Sequence, residues 1–457
     1  MKKLLIQNAT VATSTGVFNG DVLVEGETIA AVGQNLPAKG ATVINATGEV
    51  LLPGGVDAHT HFDLDVGFTR ASDDFYTGSV AAAHGGTTTI IDHMAFGPAG
   101  CRLTHQVGVY HQLAKDCVID YALHGVIQHV DEQVLEDMAL LRDEEGITSH
   151  KVYLTYADML NDAEVLAVLQ RAKQLGVTVC AHCENDAIVN SLRAQFVASG
   201  KTAAKYHPLS RPAEAEAEAI FRFLSLAKAA GEAKVYVVHL STALGLQAIA
   251  LQRAAGQQNI FAETCPQYLL LNDALYDDPA EGLKYLMSPP LRKTADEAML
   301  WAGLQTGEID TIGTDHCPFL LHPQKQRGKD DFTQAPNGAP GVELRMPLLF
   351  SEGYKKGRLT LPEVVRTCCT RPAEIFGIAP QKGDIQVGAD ADLVLFNPDE
   401  EWTVTHADLH ENVDYTPYEG MQLCGKPVLT IARGQVIVKN GKFTGAAGRG
   451  KYLHRHV

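Results

Sequence analysis

Eight short apolar runs rich in β-branched residues, separated by stretches of helical periodicity, set the strongest limit on what this chain can fold into. They are Val50 to Val56, Thr87 to Asp92, Ala122 to Gln128, Ser149 to Leu154, Thr178 to His182, Val235 to His239, Asn259 to Glu263 and Thr311 to Asp315. The segments between them carry helix-end signals. Asn161 is followed by Glu164, then by Val165, Val168, Leu169 and Ala172 on one face, with Gly176 past the stop. Thr294 with Glu297 reads as a second capping box, Pro212 sits in a first helical turn, and Gly231 ends that helix. Strands joined through helices run parallel, and eight of them close a (β/α)8 TIM-like barrel. An open doubly wound sheet is the alternative, but its glycine-rich phosphate turn is missing.

The two ends of the chain read differently. Leu4 to Gln7, Asp21 to Glu25, Thr28 to Val32 and Thr42 to Asn45 are short strands between turns, and the style returns in Ala391 to Phe396, Val428 to Arg433 and Gln435 to Val438, closed by Asn440-Gly441. The expected α/β architecture is therefore a small β-sandwich domain built from residues 1–50 plus 384–445, a barrel over residues 51–383, and a tail at 446–457. Gly448 to Val457, with Arg449, Lys451 and Arg455, is expected to be a subunit contact or a solvated segment.

Charge narrows the partners. With 38 Lys plus Arg against 54 Asp plus Glu, the net charge is −16, and the basic residues are scattered, so nucleic acid and acidic membrane surfaces are excluded as partners. No stretch reaches the roughly 18 to 20 apolar residues of a bilayer span. Met1-Lys2-Lys3 resembles the start of a signal peptide, but only Leu4 to Ile6 follow before Gln7 and Asn8, so a cytoplasmic protein is expected. Nine cysteines, an odd number with Cys368 and Cys369 adjacent, fit reduced thiols. Cys180 and Cys183 form a lone C-x-x-C with no second pair to suggest zinc, and no redox role is assigned to it.

The sharpest chemical signal is Asp57-Ala58-His59-Thr60-His61 at the end of the first barrel strand. Residues two apart on an extended segment point the same way, so both imidazoles can reach one metal ion. Lys151, His182, His239 and Asp315 fall at the carboxyl ends of strands four, five, six and eight, and in a barrel those ends converge on the mouth where active sites form. Taken singly, His182 and His239 also read as core histidines and Asp315 as a loop cap. Lys151 is harder to dismiss, because Val152-Tyr153-Leu154 follow it and an unpaired ammonium in apolar surroundings is costly.

The set His59, His61, Lys151, His182, His239 and Asp315 resembles the binuclear site of the amidohydrolase superfamily. Surrounding segments are similar to the dihydropyrimidinase and D-hydantoinase family: Pro53 to Asp57, Gly85-Gly86-Thr87-Thr88-Thr89, Lys151 to Tyr156, His182-Cys183-Glu184-Asn185, Glu263 to Tyr268, Ser288-Pro289-Pro290-Leu291-Arg292 and Thr314-Asp315-His316-Cys317-Pro318. The loop Phe62 to Phe75, with Asp73-Asp74-Phe75, looks closest to bacterial phenylhydantoinases. Cys183 and His150 depart from the family pattern without removing a ligand.

This resemblance implies a hydrolase acting on cyclic amides: a metal-binding cyclic amidase of hydantoinase or dihydropyrimidinase type that opens 5-substituted hydantoins or dihydropyrimidines to N-carbamoyl amino acids. It implies two divalent ions per subunit, zinc first with manganese or cobalt as alternatives. It also implies Lys151 carboxylated by CO2 to a bridging carbamate, a reaction that needs the neutral amine favoured by burial. His59, His61 and Asp315 would hold the more buried ion, and His182 and His239 the other. Asp315 would shuttle the proton, Tyr156 would face the oxyanion, and Ser288 and Asn337 would hold the ring through backbone groups. A homotetramer is the family's assembly.

Leu64, Tyr153 and Met159, with Phe62 and Phe68, are expected to shelter the substituent, while His93 and His316 are weaker site candidates and Cys317 weaker still. Allantoinase or dihydroorotase is the nearest enzymatic rival. The dihydroorotase pattern, however, places an Arg where this chain has Phe62-Asp63-Leu64, and Arg70, the nearest cation, has Asp73 and Asp74 available as partners. A non-catalytic dihydropyrimidinase-related scaffold is the rival outside enzymes, and it would lack ligands that are all present here.

Overall fold

The computed structural model describes residues 2–457, so Met1, which heads the basic start, lies outside the described residues. Five strands open the chain: β1 (Lys3–Thr13), β2 (Gly16–Glu25), β3 (Thr28–Gly33), β4 (Thr42–Asn45) and β5 (Val50–Pro53). Eight follow in the middle: β6 (Gly55–Thr60), β7 (Thr87–His93), β8 (Asp120–Val126), β9 (Ser149–Tyr153), β10 (Thr178–His182), β11 (Lys234–Val237), β12 (Ile260–Thr264) and β13 (Thr311–Ile312). The last are β14 (Leu393–Thr403), β15 (Gln422–Ala432), β16 (Gln435–Lys439) and β17 (Lys442–Phe443).

The eight middle strands pair in sequence order, all parallel, from β6 to β13. β13 and β6 then meet through the parallel bridge Thr60↔His316 and the bonds Asp315 N to His59 O and His61 N to His316 O, each 2.9 Å, so the sheet closes on itself. Helices cover it, as the crossover rule requires. Strands one to five and fourteen to seventeen form one nine-stranded, mostly antiparallel sheet, with β1, β5 and β14 at its centre. It curls over a core of its own that includes Ile6, Val22, Leu51, Leu393 and Ile431.

Three expectations are corrected. The run Val50 to Val56 is two strands: β5 joins the small sheet, while β6 belongs to the barrel. Gly54 makes the break, because a Cβ there would lie 2.1 Å from the Thr88 hydroxyl. The last barrel strand ends at Ile312 rather than Asp315, since Thr314 turns to bond Asp57 (2.7 Å) and Asp315 takes a positive φ of 55°. The helix Thr294–Thr306 is capped one residue earlier than expected, its Lys293 amide donating to Asp296 rather than Thr294 pairing with Glu297. The Asn161–Glu164 box and the Gly176 stop stand as expected.

The segment 448–457 is bound to the chain's own barrel, with Leu453 and Arg455 buried while Lys451, His454, His456 and Val457 stay exposed. Tyr121 N donates to Lys451 O, Leu453 N to Tyr121 O and Arg455 N to Gly146 O, which lays the segment across the amino ends of the barrel strands. Arg455 is buried there, its guanidinium donating to Ser149 Oγ (2.8 Å) and to Leu123 O. No helix among the described residues is long and apolar enough to cross a membrane.

Candidate metal centre

The alternation of β6 aims His59 and His61 inward, while Thr60 between them turns away to bond Asp92 (2.7 Å). Asp315 Oδ1 lies 3.1 Å from the Nε2 of both histidines. Although that close, His59 Nε2 makes no hydrogen bond and is buried. The two atoms are not aligned to share a proton, yet both face the same point, which is the arrangement a cation needs. Glu263 accepts from His59 Nδ1 at 2.5 Å, fixing the tautomer that leaves Nε2 free to ligate. The same carboxylate accepts from the His239 amide (3.0 Å) and the Tyr236 hydroxyl (2.8 Å).

Across the mouth, His182 Nδ1 and His239 Nε2 are 2.9 Å apart. Glu184 bonds His182 Nε2 (2.7 Å) and is held by Arg211, so this ring too has its tautomer set from behind. Lys151 stands between the two groups, its Nζ 5.4 Å from the Tyr153 ring centre, and it forms no ion pair among the described residues. Backbone strain collects at the same place: Tyr156, His239 and Asp315 have φ of 79°, 38° and 55°.

Charge in the site follows from burial set against neighbours. Burial pushes Asp315 up, but His59, His61 and His239 overcome it and hold the carboxyl well below its usual range. Burial would lower His59, whereas Glu263 and Asp315 lift it to about 9, so a proton sits where a cation would neutralise the same two acids. His61 is pushed down to about 4 and Lys151 is lowered, both chiefly by burial. Burial raises Tyr156 to about 12, which keeps its phenol a donor. Glu184, raised by burial but dominated by Arg211 and His182, falls to about 2.

These groups line a cavity of about 900 Å3, to which His61, Lys151, Tyr153, Tyr156, His182, His239, Ser288, Asp315 and Asn337 all contribute. Leu64, Phe68, Met94, Phe96 and Val109 add apolar lining. The segments of Ser288 and Asn337 are joined by Gly338 N donating to Leu286 O (2.9 Å) and by buried Lys325, which donates to Leu286 O (2.7 Å) and Pro336 O (3.4 Å).

Several expected residues fall elsewhere. Met159 is exposed and outside the cavity lining, because the turn after Tyr156 carries it outward. Phe62 packs on Phe75 and His316, closed over by Gly78, and is core. His316 bonds Asp73 (3.0 Å) and accepts from the amides of Gly341 and Val342, so it anchors the loop, while Cys317 lines the cavity. His93 lies beneath the site, stacked on His61 and on His124. Arg70 pairs with Asp65 and Asp63, not with Asp73 or Asp74. Sequence reading assigned no role to Glu184, Glu263, Arg193, Arg211 or Lys325. For Glu263 a signal existed, an acid inside the apolar strand Ile260–Thr264.

A model of the amidohydrolase family matches residues 50–437. The chain is 48% identical to a D-phenylhydantoinase of Escherichia coli O9:H4 (strain HS), with 99% of this chain and 98% of that protein covered. It superimposes on the crystal structure of dihydropyrimidinase from Brevibacillus agri NCHU1002 with a TM-score of 0.97 at 43% identity, covering 99% of this chain and 98% of that one. For a D-hydantoinase from Bacillus sp. AR9 the TM-score is 0.96 at 42% identity, with the same coverage.

Proposed function

The chain belongs to the amidohydrolase family, and from that premise we propose a binuclear, metal-dependent mechanism for a cyclic amidase that opens hydantoins and dihydropyrimidines to N-carbamoyl amino acids. The observation that carries this reading is the meeting of His59, His61 and Asp315 with His182 and His239 around a buried Lys151 at the mouth of one cavity.

His59, His61 and Asp315 would hold one divalent ion and His182 and His239 a second, with zinc favoured by the nitrogen-rich donors. Such ions polarise an amide carbonyl and make a shared water acidic enough to attack at neutral pH. Burial lowers the Lys151 ammonium and so favours the neutral amine, which would add its nitrogen to CO2 with loss of a proton to give a carbamate, an anionic ligand for the two ions. Asp315, ionised in this environment, takes the proton of the attacking water and passes it to the ring nitrogen as the C–N bond breaks. The Tyr156 phenol donates to the oxygen that gains charge. Backbone groups at Ser288 and Asn337 fix the ring, and Leu64 and Tyr153 border the substituent.

The reading extends to the barrel, residues 51–383 less the β5 residues that join the small sheet, as the catalytic unit, to the cytoplasm, supported by nine unpaired cysteines, and to a homotetramer, supported by apolar side chains exposed on outer helices such as Phe221 and Leu251. The deciding experiment is a substrate panel of phenylhydantoin, dihydrouracil, allantoin and dihydroorotate on metal-replete and chelated protein. Ring opening of the first two, lost on chelation, is expected. Turnover that survives complete metal removal would overturn the mechanism.

A further inference from the structure

A second group of ligating side chains lies away from the cavity, where the small sheet meets the barrel. His84 ends the helix Phe75–His84, Glu343 lies in the loop before the short helix Arg345–Leu348, and His410 lies in the excursion between β14 and β15. Each offers one ligand atom, and the three atoms fall within 4.8 Å of one another. The approach is built into the backbone: a Cβ on Gly85, next to His84, would stand 2.1 Å from the carbonyl oxygen of Glu343.

Ordinary packing explains only part of this arrangement. Glu343 accepts from the His410 amide (2.6 Å) and from its Nδ1 (2.9 Å), which accounts for those two residues. His84 remains. The residue is 92% buried, its ring centre lies 3.4 Å from that of His410 at 12°, and its buried Nε2 has no hydrogen-bond partner. Buried polar atoms are nearly always satisfied, and an unpartnered imidazole nitrogen beside a second imidazole and a carboxylate is placed to take a cation.

We propose that His84, Glu343 and His410 form a further transition-metal site, distinct from the catalytic pair, which staples the barrel to the excursion of the small sheet. Two imidazoles and one carboxylate select a borderline divalent ion such as Zn2+, Ni2+ or Co2+ over Ca2+ or Mg2+, and three protein ligands leave one position for water. Nearly parallel rings hold their lone pairs in parallel planes, so one ring must tilt for both to share an ion. His410, with a side chain one-third exposed, has the room to do so.

The site has a route to the cavity mouth. Glu343 N donates to Glu411 (3.3 Å), Glu411 faces His316 (3.6 Å), and His316 bonds Asp73, which anchors the loop 62–75. An ion at His84 therefore stiffens the root of that loop as well as the joint between the two sheets.

The test compares full-length holoprotein with His84→Phe, whose ring can keep the stacking but cannot ligate, by equilibrium dialysis against rising free Zn2+ followed by metal analysis. The wild type is expected to take up about one ion more per chain than the variant. Added Ni2+ is expected to raise the Tm of the wild type but not that of His84→Phe. Equal uptake, or an equal Tm rise in both, overturns the proposal. Should His84→Phe fail to fold, His410→Ala, altered at a partly exposed position, carries the same comparison with the same two outcomes. Because the readout is a difference between variants, it is independent of the number of ions at the catalytic centre.

Discussion

Lys151, Asp315 and Lys325 are three buried side chains whose charge states make separate claims on experiment. Lys151→Ala should abolish turnover and lower the content from about two ions per chain, and a short carboxylic acid in the buffer should restore a small part of both by replacing the carbamate. Lys151→Arg should be as inactive, because a guanidinium cannot ligate a cation, and near-normal turnover there would end the bridging role. Asp315→Asn keeps the shape but cannot carry a proton at neutral pH, so kcat should fall by about 1000-fold or more while the fold survives in circular dichroism. For Lys325, burial holds the ammonium at about 7 against 10.5 when exposed. Between those values the unfolded chain binds the proton and the folded chain does not, so this residue makes stability rise with pH, by up to about 1.4 kcal/mol per unit. Denaturant melts at pH 7.5 and 9.5 should show that rise flattened in Lys325→Met, and equal slopes would place the proton elsewhere. His59 and His61 were legible from sequence because strand alternation alone puts them on one side. Glu184, Glu263 and Lys325 were not, since their roles depend on partners 27, 204 and 39 residues away.

At the scale of elements, the loop 62–75 is the part of the proposed site that would sort substituents. It is held at its root by Asp73 and His316, and it carries Leu64 and Phe68 over the apolar part of the cavity. Arg70, the loop's one cation, lines the cavity but is paired with Asp65 and Asp63, so its charge is already balanced by the loop's own acids and is less available to a ring carboxylate. Phenylhydantoin or dihydrouracil should therefore be opened at least ~100-fold faster in kcat/KM than dihydroorotate, about 2.7 kcal/mol in transition-state binding. Comparable rates would point to Arg193, which also lines the cavity and whose place there was not legible before the fold was in view. Strand order and parallel pairing followed from the alternation of apolar runs and helix caps. The division of Val50 to Val56 did not, because two strands of different sheets read as one apolar run when only a glycine separates them.

The whole molecule depends on segments far apart in sequence. Residues 448–457 were read as a subunit contact or a solvated segment, because two arginines and a lysine look like surface until the barrel floor that receives Arg455 is in view. Deleting them would open that floor, uncover Leu453's neighbours and leave Ser149 and Leu123 O without their donor. We expect a Tm lower by about 5 °C or more in calorimetry, and an unchanged Tm would mean that the segment adds nothing to the fold. The pairing of β5 with β14 has a consequence for synthesis. About 340 residues separate the two strands, so at 5 to 20 residues per second a nascent chain waits roughly 20 to 70 s between making one and making the other. Throughout that interval β5 presents an unpaired, fully apolar edge, Val50-Leu51-Leu52-Pro53, to the crowded surroundings of the ribosome. The barrel can assemble in the meantime, but the small sheet cannot, which makes that edge the natural point for a chaperone to hold the chain and for a slowed ribosome to turn it toward aggregation.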